Sequence, residues 1–129
     1  MNTKKVIIFS MVFFTVEVRY ISDIGFVMFV VTDNRFGESM ASIFLGEDKL
    51  SAVKSILDLK RFYDSAEDGE YVVDGFKCKT RIIISTYMGS KGIQIKSDGL
   101  SGVSGVPSWF CIKDKHYNGV IEAIKTFSE

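Results

Sequence analysis

Twice along this chain an apolar, strand-like run gives way to an acidic cap and an amphipathic helix. The first instance is Ser42 to Leu59; the second is Ser108 to Phe127. In the first, Asp48 can accept from the free N–H groups of a first helical turn. Leu50, Val53, Ile56 and Leu57 then fall at i, i+3, i+6 and i+7, which predicts a helix over 48–62 with those side chains on its buried stripe. Lys60 and Arg61 suit the negative end of its dipole. In the second instance the stripe is Tyr117, Val120, Ile121, Ile124 and Phe127. Gly25 and Gly92 lie at an offset of 67, as do Val53 and Val120; Phe44 and Phe110 lie at 66. A unit written twice explains this better than chance likeness between two helices.

The segments before each helix read as strands. From Phe13 to Tyr20, Thr15, Glu17 and Arg19 alternate with Phe14, Val16, Val18 and Tyr20, the mark of a half-buried strand. Phe26 to Thr32 is apolar on both faces, so both must be covered, by a helix on one side and by a partner or ligand on the other. Met40 to Leu45 makes a third strand. Asp64 to Glu70 is acidic and polar and falls near the middle of the chain, the natural linker between the two units. Beyond it, Asp74-Gly75 signals a hairpin, and Phe76 to Met88 a long strand. Ile93 and Ile95 face inward on the next strand, and Ser108 to Lys113 is the last. The expected fold is α+β: one domain over 1–129 built from two strand-rich repeats, about 6–63 and 70–128, each an antiparallel sheet ending in an α-helix. One unit alone buries too little core. Two copies related by a pseudo-two-fold axis can pack their helices together and turn their sheets outward.

Composition narrows the function. Sixteen basic and 16 acidic residues balance, so no overall field draws the protein to nucleic acid or membrane. Cys78 and Cys111 sit far apart, without a CxxC pair for zinc, and read as buried, reduced thiols. His116 is the sole histidine, in the first turn of the last helix, so neither a Ser-His-Asp nor a Cys-His arrangement can be argued. Gly99 to Gly105 is glycine-rich, but Pro107 and a strand follow it instead of a helix N-terminus, so a hairpin loop is the better reading than a phosphate cradle. No cofactor, metal site or enzymatic activity is expected. The N-terminal run Val6 to Val16 follows Lys4-Lys5 in the manner of a secretory leader. Its Val, Ile and Phe content and the absence of a small-residue cleavage site favour a strand within the fold, and with it a cytoplasmic protein, in a host cell if phage-encoded.

Gly25 to Asn34, followed by Ser42-Ile43-Phe44-Leu45 and the helix at Leu50 to Leu59, resembles the strand–turn–strand–helix core of the Whirly proteins and of related single-unit transcriptional coactivators. Lys91-Gly92-Ile93-Gln94-Ile95 and the stretch from Trp109 onward are similar in the same way. The lysine-rich motif of the plant members is absent. The resemblance implies duplicated strand-and-helix units, tetrameric assembly and binding of single-stranded DNA through the sheets.

The residues that fit such binding lie mainly in the second half. Lys77, Lys79 and Arg81 form a basic row on one strand face, Tyr87 lies further along it, and Lys91 and Lys96 fall on or beside the neighbouring strand. Phosphates need such cations and bases need rings. In the first half, Val27 and Phe29 hold the equivalent outward positions, for stacking or, preferably, for burial in an oligomer interface. The leading expectation is a homo-oligomeric, non-enzymatic binder of single-stranded DNA or RNA. Its rival is a protein-interaction module, such as a small inhibitory or regulatory factor that docks on a host protein. Neutral charge and the two-sided apolar strand favour the rival.

Overall fold

A computed structural model of the protein describes residues 3–10, 14–34, 37–97 and 114–127. The chain is α+β. A four-stranded antiparallel meander comprises β1 (Thr3–Ser10), β2 (Phe14–Ile21), β3 (Gly25–Asn34) and β4 (Gly37–Gly46). Helix α1 (Lys49–Ser65) follows. A three-stranded antiparallel sheet then comprises β5 (Gly69–Asp74), β6 (Lys79–Tyr87) and β7 (Ser90–Ser97), and α2 (Asp114–Thr126) closes the described fold. Strands followed by a helix therefore occur twice, a roughly repeated layout. The expected strand Ser108 to Lys113, the loop at Gly99 to Gly105, Trp109 and Cys111 lie outside the described residues.

The first sheet has one strand more than its half was expected to supply. The N-terminal apolar run separates into β1 and β2, which pair antiparallel from Thr3 opposite Ile21 to Ser10 opposite Thr15. No helix among the described residues is long and apolar enough to cross a membrane.

The core lies where both sheets meet both helices. Val16 and Val18 of β2, Phe26, Met28 and Val30 of β3 and Ala41, Ile43 and Leu45 of β4 turn inward from the first sheet. Ile82, Ile84, Ile93 and Ile95 turn inward from the second, in register as Ile82 opposite Ile95 and Ile84 opposite Ile93. Each such buried side chain contributes roughly 1.5–3 kcal/mol. Tyr117, Val120 and Ile124 of α2 and Phe127 just beyond it complete the cluster, four of the five residues expected there, with Ile121 partly buried at its margin. The helices pack on each other, and Lys49 Nζ donates to the carbonyl of Lys125, joining the first turn of α1 to the last of α2.

Helix α1 begins where expected. Asp48 is its cap and accepts from Ser51 N–H at 2.8 Å; that donation holds the carboxyl below its ordinary value of 3.8. The buried stripe differs from the expected one. Ala52, Ile56 and Tyr63 are buried, whereas Leu50 is 83% and Leu57 41% exposed. The helix is rotated because its neighbours are β4 on one flank and α2 on the other, and the apolar spacing alone does not reveal that pair of directions.

The sheets join through buried hydroxyls. Thr80 Oγ1 donates to the Ser42 carbonyl at 2.5 Å, and Ser42 N–H donates to Ser97 Oγ at 2.8 Å. Thr80 and Ser97 hydroxyls are 2.8 Å apart. Thr80 has spent its one proton on Ser42, so Ser97 donates to Thr80. The free edge of β4 at Ser42 is thus satisfied by side chains of β6 and β7.

Candidate functional site

Glycine at 75 does not make the second-half hairpin turn where the Asp-Gly pair suggests. Gly75 N–H donates to the Cys78 carbonyl, and Lys77 takes the left-handed region at φ 57° between them. The strand expected from Phe76 therefore starts at Lys79, and Lys77 belongs to the turn, its ammonium 5.4 Å from the centroid of the Phe76 ring. Lys79 and Arg81 do share the solvent face of β6, and Lys96 stands opposite Arg81 on β7. Two carboxylates answer them from β5: Asp74 is 2.5 Å from Lys79 Nζ and Glu70 is 3.7 Å from Arg81. These pairs are exposed and add little stability, but they set a carboxylate beside two of the cations of the row. Tyr87 ends β6; its side chain lies outside the described residues.

Lys91 is elsewhere. Alternation along β7 places it on the inner face, where its ammonium donates to the carbonyls of Tyr63, Asp64 and Ala66 at 3.0, 3.3 and 3.0 Å. The Tyr63 hydroxyl returns a bond to the Lys91 carbonyl at 2.6 Å. The last carbonyls of a helix have no partners of their own and carry the negative end of its dipole, so a cation there is a cap. Its assignment to a ligand-binding row is corrected accordingly.

Val27 and Phe29 are also corrected. They are 0% and 3% exposed, buried by the chain itself. With Ile21 they form a second, small cluster on the outer face of the first sheet, flanked by Ile24, Phe44 and Phe76. The Phe76 ring lies 5.9 Å from that of Phe29, and the Arg19 guanidinium sits 4.4 Å over the latter, held by Glu17 at 2.7 Å. Among the described residues, the second covering that the two-sided strand demanded includes Phe76 at the tip of the β5–β6 hairpin, together with Ile24, Phe44 and the Arg19 guanidinium. Neither side chain is presented for base stacking or for an oligomer interface.

What remains open is a groove. At one end β4 and the β5–β6 hairpin touch: Phe76 N–H donates to Ser42 Oγ at 2.8 Å, and a Cβ on Gly75 would meet the Ser42 carbonyl at 2.9 Å. Further along, the two strands part over α1 and leave a cavity of about 620 Å³. Its walls are Ile43, Phe44 and Leu45 of β4 and Tyr71 and Val73 of β5; Leu59 and Phe62 of α1 form its floor. Phe62 and Tyr71 rings meet edge to face at 4.7 Å, and the Tyr71 hydroxyl donates to the Glu67 carbonyl, which fixes the β5 wall against the helix end. Ser55 Oγ donates to the Leu45 carbonyl at 2.5 Å and fixes the other.

The lining is mainly apolar, and its charged members, Asp58 and Glu70, are both acidic. No local sequence pattern brings these residues together as a site. A signal was present in the inward alternation of Tyr71 and Val73 and in Leu59 and Phe62, which continue the helix's apolar surface beyond the stripe at Leu50 to Leu57. Among the described residues no group of His, Cys, Asp and Glu side chains converges to hold a metal ion. Cys78 is a free thiol beside Ser42 Oγ. Comparison with protein-family models, curated proteins and solved structures gives no match.

Proposed function

We propose that this protein is a non-enzymatic protein-binding module that receives an apolar segment of a partner in the groove between α1, β4 and β5. The observation that carries this reading is the groove itself: an open, mainly apolar recess of about 620 Å³, walled by two strand edges. Open apolar recesses with a few oriented polar groups are the usual form of a recognition site. The loss of Val27, Phe29 and Lys91 from the proposed nucleic-acid surface weighs in the same direction.

A second reading, binding of single-stranded nucleic acid, is supported by one observation. Lys79 and Arg81 do share the outer face of β6, with Lys96 beside them and Lys77 at the adjoining turn. The roughly repeated layout and the packed helix pair support a Whirly-like arrangement with a pseudo-two-fold axis, for which this surface would be the natural contact.

Selection from a random peptide library on the immobilised protein separates the two. Peptides are expected to enrich, to lose binding when the exposed groove residues Asp58 and Val72 are both replaced by Arg, and to keep it when Lys77, Lys79 and Arg81 are all replaced by Glu. No enrichment, together with salt-sensitive anisotropy of a labelled oligo-dT that the triple Glu variant abolishes, overturns the protein-binding reading in favour of the second.

A further inference from the structure

The groove has a backbone face as well as a side-chain face. Gly75 and Cys78 form a hydrogen-bonded pair at the hairpin end. Hydrogen-bonded and non-bonded pairs alternate along an antiparallel ladder, so Val73 opposite Thr80 and Tyr71 opposite Ile82 exchange bonds with β6. The N–H and C=O groups of Glu70, Val72 and Asp74 then point the other way, along the edge of β5 that borders the groove. Among the described residues no strand pairs with that edge. It carries neither proline nor an inward-pointing lysine, two of the devices that keep strand edges from pairing.

We infer that the groove takes an extended partner segment by strand addition to this edge, and that the segment carries basic residues at two positions flanking an apolar one, with further apolar residues between them. The inference rests on the protein-binding reading above and supplies its geometry and partner chemistry. Side chains alternate across a sheet, so a strand added here divides its residues into two sets. One set lies beside Tyr71 and Val73 and fills the groove over Leu59 and Phe62. The other lies on the outer face, opposite Glu70, Val72 and Asp74. Val72 is 64% exposed and lacks a cover; Glu70 and Asp74 each offer a carboxylate to the incoming strand while keeping Arg81 and Lys79 on the other side.

Charge decides against a second copy of the chain as occupant. Two β5 edges paired antiparallel about Val72 would set Glu70 of each copy opposite Asp74 of the other, acid against acid. A segment of the pattern Lys-Leu-Val-Leu-Lys sets cations there instead. Asp58 at the groove rim, 3.5 Å from Arg61, is a further carboxylate on this side.

The test uses the full chain and short capped peptides, with isothermal calorimetry as the readout. The Lys-Leu-Val-Leu-Lys peptide should bind, and its Glu-Leu-Val-Leu-Glu counterpart should bind roughly fivefold or more weakly. The difference should vanish in the Glu70→Gln/Asp74→Asn double variant, whose side chains keep their size. N-methylation of the Val and one flanking Lys, whose N–H groups face β5, should weaken binding by roughly tenfold, whereas N-methylation of the two Leu residues should not. Equal binding by both N-methylated forms would overturn strand addition while leaving the groove reading intact. Library peptides that depend on Asp58 and Val72 but carry acidic or unpatterned sequences would likewise overturn the inference alone. Failure of the capped peptide to bind while library peptides do would count the same way.

Discussion

Replacing Lys91 with methionine keeps the apolar stem of the side chain and removes the ammonium that closes α1. Three carbonyls, those of Tyr63, Asp64 and Ala66, lose a donor at 3.0–3.3 Å. A hydrogen bond to a charged group is worth about 1.5–3 kcal/mol, and a cation at a helix C-terminus about 0.3–1 kcal/mol. The three bonds share one charge, and the site is only partly buried, so water recovers part of the loss. About 2 kcal/mol for the whole cap is the reasonable expectation. At a slope of roughly 2 kcal/mol per molar urea this lowers the unfolding midpoint by about 1 M, and it lowers Tm by roughly 5–12 °C. Urea unfolding followed by circular dichroism measures it. The alternative role, a lysine presented to a ligand, requires no change in stability. A loss under about 0.5 kcal/mol, the range of ordinary surface substitutions, would refute the capping argument.

Three further substitutions test other parts of the structure. Phe29→Ala should cost about 3–5 kcal/mol in the same unfolding experiment, because the ring is buried between Arg19 and Phe76; a stacking ring displayed to solvent would cost almost nothing. Thr80→Val keeps the shape but leaves the Ser42 carbonyl only the long contact from Ser97 Oγ at 3.5 Å, at a cost of about 1–3 kcal/mol, and Thr80→Ser should restore most of it. Asp48→Ala should flatten the acid limb of the stability profile. Ser51 N–H holds the Asp48 carboxyl below its ordinary 3.8, so the stabilisation is present above that value and is lost as pH falls through the lower, folded value. Tm measured across that range checks it, and an unchanged acid limb in the variant would remove Asp48 from the account.

The charge row on β6 shows how far local pattern reaches. Alternation correctly put Lys79 and Arg81 on one face. It placed Lys77 with them because a strand was assumed to start at Phe76, and a turn with φ 57° at Lys77 intervenes. It could not show that Asp74 and Glu70 come to lie within reach, since that depends on the register of β5 against β6. In α1 the cap at Asp48 was legible because capping is a contact between residues three apart. The rotation of the helix that buries Ala52 and Tyr63 and exposes Leu50 was not, since it depends on where β4 and α2 lie.

Polarity, period and capping residues act over a few positions, and by themselves they determined that this chain makes antiparallel strands and two helices in a roughly repeated order. They also determined that β3 must be covered on both faces. The three-dimensional arrangement alone decided what does the covering: Phe76, brought over Phe29 from the far side of the linker. It likewise decided that Lys91 caps a helix 28 residues back in the chain. The groove between β4 and β5 arises because β4 and the β5–β6 turn touch at Ser42 and Phe76, and the two strands diverge from there over α1. A gap of that kind is a relation between separate elements, and no single stretch of residues encodes it.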